Sequence, residues 1–235
     1  MIINCCMCWI LLTICLTGLA SFLVWASADI SSGVYLKALC RVRGQRGVVY
    51  LTFDDGPDPV WTEKVLDVLA RRGAAATFFV IGSKVPGNEA VLRKIVAGGH
   101  KIGIHSCCHS SWFPMMRDRK MRDDLSKCAS AISEAAGSGT NLFRPPFGVV
   151  NPVVARTARH LGLKTVGWSV RTFDTSLMSR NDGQERILKR IERRLEDGAV
   201  ILLHDRLPHS DELLVKVLDL LDSKGYRYGL PLPVD

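Results

Sequence analysis

The fold of this chain follows from the stretch VVYLTFDDGP, residues 48–57, in which the strand-like run Val48–Phe53 leads directly into Asp54 and Asp55. β-Branched and aromatic residues fill the run, as is typical of a buried strand. The Gly-Pro pair behind the two acids indicates a turn. The stretch therefore predicts a strand that ends in two carboxylates.

Strand-like runs of this kind alternate with amphipathic, helix-like stretches along the chain. The predicted strands are Val48–Phe53, Ala75–Ile81, Lys101–Ile104, Leu142–Phe143, Lys164–Trp168, Ala199–Leu203 and, weakly, Tyr226–Tyr228. The helix predicted after the first strand has Asp58 as its cap and Pro59 in its first turn. About seven strand-then-helix units predict an α/β fold of parallel strands joined by right-handed crossovers. We expect a distorted, incomplete (β/α) barrel of about seven strands, preceded by one N-terminal hydrophobic helix.

Polar side chains stand where most of these strands end. The carboxyl ends of barrel strands meet at one mouth, where α/β barrels keep their chemistry. The residues in such positions are Asp54 and Asp55 after the first strand, His105 after the third, Arg144 after the fourth, Asp174 shortly after the fifth and His204 directly after the sixth. The sequence therefore predicts that these groups converge on one site.

A divalent-metal site is predicted from Asp55, His105 and His109. Positions i and i+4 share one face of a helix, so we expect the two histidines on a helix, where both imidazoles contact one ion. The carboxylate of Asp55 would be the third ligand. Three protein ligands with an open position for water indicate a catalytic site, so the chain is interpreted as a metal hydrolase.

The remaining groups at the mouth suit amide hydrolysis. Asp54 cannot easily bind the same ion as its neighbour, so we predict that it is the general base. His204, from the other side of the mouth, would protonate the leaving amine. In Arg144-Pro145-Pro146-Phe147-Gly148 the prolines donate no N–H, so the amide of Phe147 is the first donor available to an oxyanion. An ordinary loop at the end of a strand would have the same five residues. The pentapeptide alone therefore does not distinguish an oxyanion donor from such a loop.

Composition limits the classes of partner. The chain has 235 residues, of which 47% are hydrophobic, enough for one domain. Its net charge of +8 suits an anionic membrane face, an acidic wall polymer or nucleic acid. No nucleic-acid motif is present, and basic residues alternate with glutamates on a predicted helix. We therefore interpret the charge as a solvated helix face and predict no nucleic-acid partner.

Four of the eight cysteines lie outside the N-terminal apolar segment, at Cys40, Cys107, Cys108 and Cys128. They form no C-x-x-C pair, which argues against a zinc knuckle or a redox motif. Cys107 and Cys108 are interpreted as small helix residues beside the metal site and not as further ligands.

The N-terminal segment carries no charge from Cys5 to Ala26, long enough for the roughly 20 residues that cross a bilayer. Ala26-Ser27-Ala28 resembles a signal-peptidase site, but the apolar run exceeds the roughly 7–15 residues of a cleaved signal. We predict an anchor or signal segment over 1–28, a linker over 29–46 and a catalytic domain over 47–230.

The orientation of this anchor is ambiguous in the sequence. The first basic residues, from Lys37 onward, follow the apolar segment, and the positive-inside rule would keep the domain cytoplasmic. A wall polymer requires the opposite orientation. We favour an uncleaved anchor with the domain extracytoplasmic, with secretion after cleavage near Ala28 as the alternative.

Four motifs resemble those of the polysaccharide deacetylases, the NodB-homology group also called carbohydrate esterase family four. They are Thr52-Phe53-Asp54-Asp55-Gly56-Pro57, His105-Ser106-Cys107-Cys108-His109, Arg144-Pro145-Pro146-Phe147-Gly148 and Leu202-Leu203-His204-Asp205. Their order and spacing agree over roughly residues 46–228. The resemblance implies a distorted (β/α) barrel and removal of N- or O-linked acyl groups from sugars with a divalent metal, most often Zn²⁺.

The resemblance also implies a role for each matched residue. Asp54 would be the base, Asp55, His105 and His109 the ligands, the Phe147 amide an oxyanion donor, His204 the acid, and Leu202 part of the pocket for the acetyl methyl group. Trp112, Phe113 and Trp168 are candidates for stacking on sugar rings, with burial the better interpretation for at least one of them.

One stretch departs from the family pattern. Many members have Asp-x-x-Asp-Trp after the fifth strand, and its first Asp, with the arginine at position 144, helps to tune the catalytic histidine. Here Arg171 replaces that acid and Thr175 the tryptophan, while Asp174 is retained. A cation near His204 would lower its pKa unless Asp174 or Asp205 compensates. We expect an altered rate, pH optimum or substrate and not a loss of activity.

Three functions are consistent with the sequence. The leading one is a membrane-anchored deacetylase of an amino-sugar polymer such as peptidoglycan or a chitin-like chain. The second is a deacetylase or deformylase of a lipid-linked amino sugar at the membrane. The third is a non-catalytic sugar-binding module, against which the retained Asp54 and His204 argue.

Overall fold

Seven strands and eight α-helices make up the described part of the chain, residues 2–229 and 232 of a computed structural model. The helices are α1 Ile2–Ala28, α2 Trp61–Arg71, α3 Glu89–Ala97, α4 Asp118–Ala136, α5 Pro152–His160, α6 Asp174–Leu177, α7 Gly183–Arg194 and α8 Ser210–Ser223. The strands are β1 Tyr50–Asp54, β2 Ala76–Val80, β3 Lys101–Ile104, β4 Leu142–Phe143, β5 Lys164–Thr165, β6 Val170–Arg171 and β7 Val200–His204. Residue 230, the predicted end of the domain, falls outside the described residues.

All strands of the sheet are parallel and run in the order β5-β4-β3-β2-β1-β7-β6. Every residue of β1 and β2 is buried, because helices cover the outer face and the curled sheet encloses the inner one. The sheet is an open half-barrel, with β5 and β6 at its two edges. The predicted incomplete α/β barrel is therefore confirmed.

The last of the seven predicted strands is wrong. Tyr226–Tyr228 is not a strand, and only Arg227 bridges to Val48. The strand that the sequence did not predict is β6, whose residues Val170 and Arg171 pair with Ile201 and Leu202 of β7. Two residues are too few to show the alternation that identifies a strand in a sequence.

The entry into α2 also differs from its prediction. The helix begins at Trp61, so Pro59 precedes it and does not lie in its first turn. The N-cap position is Val60 and not Asp58, but Asp58 Oδ1 still accepts the N–H groups of Val60 at 2.9 Å and Trp61 at 2.8 Å at the start of the helix.

Helix α1 is long and apolar enough to cross a membrane over Trp9–Ala28, and most of its large apolar side chains are exposed. Its last turn nevertheless contacts the domain. Ala26 is fully buried, and the carbonyl of Ser27 accepts the N–H of Val150 at 2.9 Å. Val150 closely follows the Pro146–Gly148 turn. Helix α1 therefore ends beside the loop that carries Phe147.

The predicted linker, residues 29–46, packs on the domain. Leu39 bridges to Val166 beside the edge strand β5, and Arg41 bridges to Ala199 at the start of β7. Ile30 and Val42 are buried. The segment thus covers part of the open side of the half-barrel.

Candidate active site

The strand ends bring the predicted site residues to one edge of the sheet. Asp54 and His204 are register partners at the carboxyl ends of the neighbouring strands β1 and β7. His105 follows β3 and donates its N–H to Val80, while Arg144 follows β4 and donates its N–H to Ile104. Backbone pairing along the sheet therefore aligns these four side chains.

The two histidines lie on a loop and not on a helix, which corrects the expected geometry. Ser106 and His109 have φ of 65° and 47°, and the hydroxyl of Ser106 accepts the N–H of His109 at 2.9 Å. These left-handed residues turn the chain back on itself, as short polar side chains permit after a strand. Both imidazoles consequently face Asp55, with His105 Nε2 at 3.5 Å and His109 Nε2 at 3.4 Å from its Oδ1.

The donor set of Asp55, His105 and His109 fits a divalent cation. Asp55 Oδ1 is buried and has no hydrogen-bond partner among the described residues. The Nδ1 atom of His105 is 2.7 Å from the carbonyl of Arg144, to which it donates, so the Nε2 lone pair faces the site. The three ligand atoms lie within 4.8 Å of one another. One carboxylate and two imidazoles are a donor set that Zn²⁺ and similar ions accept.

The carboxyl group of Asp55 is held in its charged form, as a ligand of a divalent cation requires. Burial alone would raise the pKa of its carboxyl group, but His105, His204 and His109 outweigh that effect and hold the pKa well below its usual range. Its second oxygen, Oδ2, accepts a hydrogen bond from Arg206 Nε at 3.0 Å. Oδ1 is therefore the oxygen that faces His105 and His109.

Arg144 orients Asp54, the predicted base. The arginine is fully buried, and its NH1 donates to Asp54 Oδ1 at 2.6 Å and to Thr52 Oγ1 at 3.0 Å. Its other nitrogens donate to the carbonyls of Val166 and Gly167. The hydrogen bonds described for its side chain thus go to the predicted base and to the backbone around it and not to His204, so any effect of Arg144 on the histidine stays a prediction.

Asp174 is the partner of His204. Its Oδ1 lies 2.8 Å from Nδ1 of the imidazole, and its Oδ2 accepts the backbone N–H of His204 at 2.7 Å. Although burial opposes it, the charge and hydrogen bond of Asp174 raise the pKa of His204 to about 8. Asp174 therefore supplies the compensation that the cationic residue at position 171 requires.

Asp205, the other candidate for compensation, faces elsewhere. It is buried and accepts a hydrogen bond from Thr62 Oγ1 at 2.6 Å. Its carboxylate packs against Gly56, where a Cβ atom would lie 2.3 Å from Asp205 Oδ2. Asp205 thus joins the start of α2 to the turn after β1.

Asn in place of Asp174 is expected to lower kcat/KM near pH 8 by roughly 100-fold, within the range of general-acid effects. The folded-state pKa of His204 is raised by Asp174, so the protonated acid persists up to about pH 8 in the unsubstituted protein. Without the carboxylate, burial lowers the pKa and the basic limb of the pH–rate profile moves to lower pH. Profiles of kcat/KM from pH 5 to 10 would show this. Thr175→Ala, beside it, should keep the original limb, and an unmoved limb in Asp174→Asn would contradict the pairing.

The catalytic cleft has a volume of about 190 Å³ and its remaining wall is partly aromatic. Trp168 is half-buried and packs on Gly148, where a Cβ atom would lie 2.3 Å from the indole. Leu202 is buried and lines the cleft, as the family resemblance implies for the acetyl pocket. Of the other aromatic candidates, Phe113 is fully buried and Trp112 is exposed away from the cleft lining.

Phe147 lies at the rim with a left-handed backbone, φ 61°, and its ring packs 4.6 Å from that of His109. Its N–H makes no backbone hydrogen bond within the described part of the chain. A rigid amide without a backbone partner, beside the predicted metal ligands, has the placement that an oxyanion donor needs.

Two cleft residues were not predicted from the sequence. Arg206 contacts a ligand carboxylate, and Phe173 lines the cleft just before Asp174. Arg206 follows the end of β7 by two residues, so its place at a strand's carboxyl end was an available signal. No sequence pattern indicates Phe173.

Cys107 and Cys108 lie on the histidine loop and not on the predicted helix. Their sulfur atoms and a carboxylate oxygen of Asp124 lie within 4.8 Å of one another. Burial and the neighbouring Cys108 raise the pKa of Cys107 to about 11, so its thiol is protonated at neutral pH. Asp124 already accepts the N–H of Cys107 at 2.9 Å. These features disfavour a second metal centre.

Comparison with known proteins identifies the family. The sequence profile described as polysaccharide deacetylase matches residues 41–166. A peptidoglycan-N-acetylglucosamine deacetylase of Bacillus cereus is 34% identical over 80% of this chain and 88% of its own length. A chitooligosaccharide deacetylase of Bradyrhizobium sp. is 36% identical over 73% of this chain and 76% of its own length.

A solved structure agrees with these relatives. A family 4 acetyl xylan esterase from Clostridium thermocellum, in complex with a cobalt ion, superposes with a TM-score of 0.70 and 32% sequence identity over 78% of this chain and 87% of its own. The order of motifs, the half-barrel and these similarities agree. The chain therefore belongs to the polysaccharide deacetylase family.

Proposed function

We propose that the chain is a divalent-metal-dependent N-deacetylase of an amino-sugar polymer, such as peptidoglycan or a chitin-like oligosaccharide. As a member of its family it is a carbohydrate deacetylase, a hydrolase. The observation that carries the metal dependence is the buried, unpartnered Oδ1 of Asp55, which faces two imidazole nitrogens. The deacetylases of B. cereus and Bradyrhizobium support the substrate class.

Different residues of the site accept and donate the protons of the reaction. A bound Zn²⁺ or similar ion would polarise the acyl carbonyl and lower the pKa of a bound water. Asp54, oriented by Arg144, accepts the proton of the attacking water. His204, protonated at neutral pH because its pKa is about 8, gives a proton to the leaving amine. The N–H of Phe147 stabilises the oxyanion of the tetrahedral intermediate.

A lipid-linked amino sugar is the second candidate substrate, and one observation favours it. The last turn of α1 contacts Val150, close in sequence to Phe147 at the rim of the cleft. With α1 in a bilayer, the cleft opens beside the membrane. A sugar linked to a lipid of that bilayer would lie close to a cleft in that position.

The full chain in detergent micelles with added zinc is expected to release acetate from N-acetylated chito-oligosaccharides. An O-acetylated xylo-oligosaccharide and a polyprenyl-linked N-acetyl sugar serve as comparison substrates, with acetate measured enzymatically. Turnover of the lipid-linked sugar alone would support the second candidate. Release from the O-acetyl ester alone would contradict N-deacetylation, and no release from any of them would favour a non-catalytic sugar-binding module.

We further propose that α1 is an uncleaved anchor with the domain extracytoplasmic, because a wall polymer lies on that side. Protease added to intact cells should then digest the domain while a cytoplasmic marker survives. Protection of the domain until the cells are lysed would place it in the cytoplasm.

A further inference from the structure

A basic cavity of about 790 Å³ lies beside the catalytic cleft, where α6 and α7 meet. Its wall carries four cationic side chains of α7: Arg186, Lys189, Arg190 and Arg193. Phe173 lines both this cavity and the catalytic cleft. The two spaces are therefore neighbours that share this side chain as a wall.

Several charges near this cavity neutralise one another. The paired groups are Arg186 with Asp182, Lys189 with Glu185 and Lys224 with Glu192, each at 2.5 Å. Arg190, Arg193 and Arg171 have no carboxylate partner among the described residues. The cavity therefore keeps an excess of positive charge next to the site.

The ring of Phe173 lies between two of these unpaired cations. The guanidinium carbon of Arg171, on the cleft side, is 4.8 Å from the ring centroid, and that of Arg190 is 4.4 Å from it. Arg190 Nε donates to the carbonyl of Arg171 at 2.5 Å, which fixes α7 against the end of β6. Phe173 has a left-handed backbone, φ 60°, a conformation costly for an aromatic residue and common at functional sites.

Like charges are held together in this cluster. Burial and the neighbouring Arg194, Arg193 and Arg171 lower the pKa of Arg190. Such an arrangement is stabilised when an anion binds, and guanidinium groups bind oxyanions through paired N–H donors.

We propose that the basic cavity binds a phosphate group of an acylated amino sugar whose acyl group occupies the catalytic cleft. This inference rests on the proposed deacetylase function and narrows its substrate. A phosphate monoester carries a charge of about −1.5 to −2 near neutral pH, whereas a sugar carboxylate carries one charge, so phosphate better matches three unpaired arginines. A neutral chitin-like chain offers them no partner. The phosphate can belong to a soluble sugar phosphate or to a sugar linked to a lipid through a diphosphate, which carries about the same charge.

Binding of glucosamine 1-phosphate and of glucosamine to the full chain in neutral detergent tests the proposal without any hydrolysis. Isothermal titration should show the phosphorylated sugar binding at least about tenfold more tightly, since a charge-assisted contact is worth that factor or more. The double variant Arg190→Gln, Arg193→Gln should lose the preference. Arg186→Gln removes one charge from the same wall, but from a paired residue, and should retain it.

Equal affinity for the two sugars, or equal weakening by Arg186→Gln, would overturn the proposal. Acetate release from neutral chito-oligosaccharides by the double variant distinguishes failure of the phosphate subsite from failure of the deacetylase function. If the protein releases acetate but binds both sugars equally, the phosphate subsite is contradicted and the deacetylase function stands. If it prefers the phosphorylated sugar but deacetylates no acylated sugar, the subsite stands and the deacetylase function is contradicted. To identify the source, glucosamine linked to polyprenol through a diphosphate is added in phosphatidylcholine vesicles, and tighter binding there than of glucosamine 1-phosphate in solution assigns the phosphate to a lipid.

Discussion

Asn in place of Asp54 is expected to lower kcat/KM for deacetylation by about 1,000-fold, within the range of general-base effects. The carboxylate lies at the end of β1 with Oδ1 held by Arg144 at 2.6 Å and Oδ2 facing the predicted metal site, 3.8 Å from His105 Nε2. An amide in its place keeps the shape but cannot accept the proton of the attacking water. Initial rates of acetate release at saturating zinc measure the effect.

The variant also leaves the buried guanidinium of Arg144 without its counter-charge, so part of any loss could come from instability. Removing one partner of a buried pair costs about 3–5 kcal/mol. Thr52→Val is the matched control, because it removes another hydrogen bond to the same guanidinium without touching the base. It should lower the unfolding free energy by about 1 kcal/mol and keep kcat/KM within about tenfold. Activity in folded Asp54→Asn close to that of the unsubstituted protein would remove Asp54 from the role of base.

Removal of the metal by a chelator is expected to lower deacetylation at least about 100-fold, with recovery when Zn²⁺ is added back. The second readout is stability: an ion at 100 times its Kd stabilises the folded chain by about 2.7 kcal/mol, so the melting temperature of chelated protein should rise with zinc. His109→Gln should bind the metal more weakly and show a smaller rise, because it removes one of three ligands.

Cys108→Ser is the control for this experiment, since Cys108 is exposed on the same loop. It should bind one metal ion as tightly as the unsubstituted protein. Loss of metal in Cys108→Ser with retention in His109→Gln would assign the ion to the cysteine cluster. A chelated protein with unchanged activity and melting temperature would contradict a metal-dependent reaction.

The sequence alone was sufficient for the architecture of the central strands. Val48–Phe53 and Ala75–Ile81 identify β1 and β2 because strands buried on both faces are apolar along most of their length. It failed at the edge of the sheet, where β6 has two residues and its pairing with β7 decides its conformation.

The sequence also determined which chemical groups meet, because residues at the carboxyl ends of parallel strands share one edge whatever the details of packing. Asp54, Asp55, His105 and His204 were found in this way. Only the tertiary structure decided how these groups act on one another. Arg144 contacts Asp54 across two intervening strands, and Asp174 reaches His204 from the turn after β6. Such contacts join residues far apart in the chain, and no local pattern encodes them.

Left-handed residues at Ser106 and His109 likewise replaced the expected helix with a loop. Local propensity did not favour that conformation. It is imposed by the strand before the loop and by the hydrogen bond from His109 to the Ser106 hydroxyl. What the sequence fixes, then, is the set of groups at the mouth, because strand direction places them there. Their pairing and orientation depend on long-range packing and exist only in the folded chain.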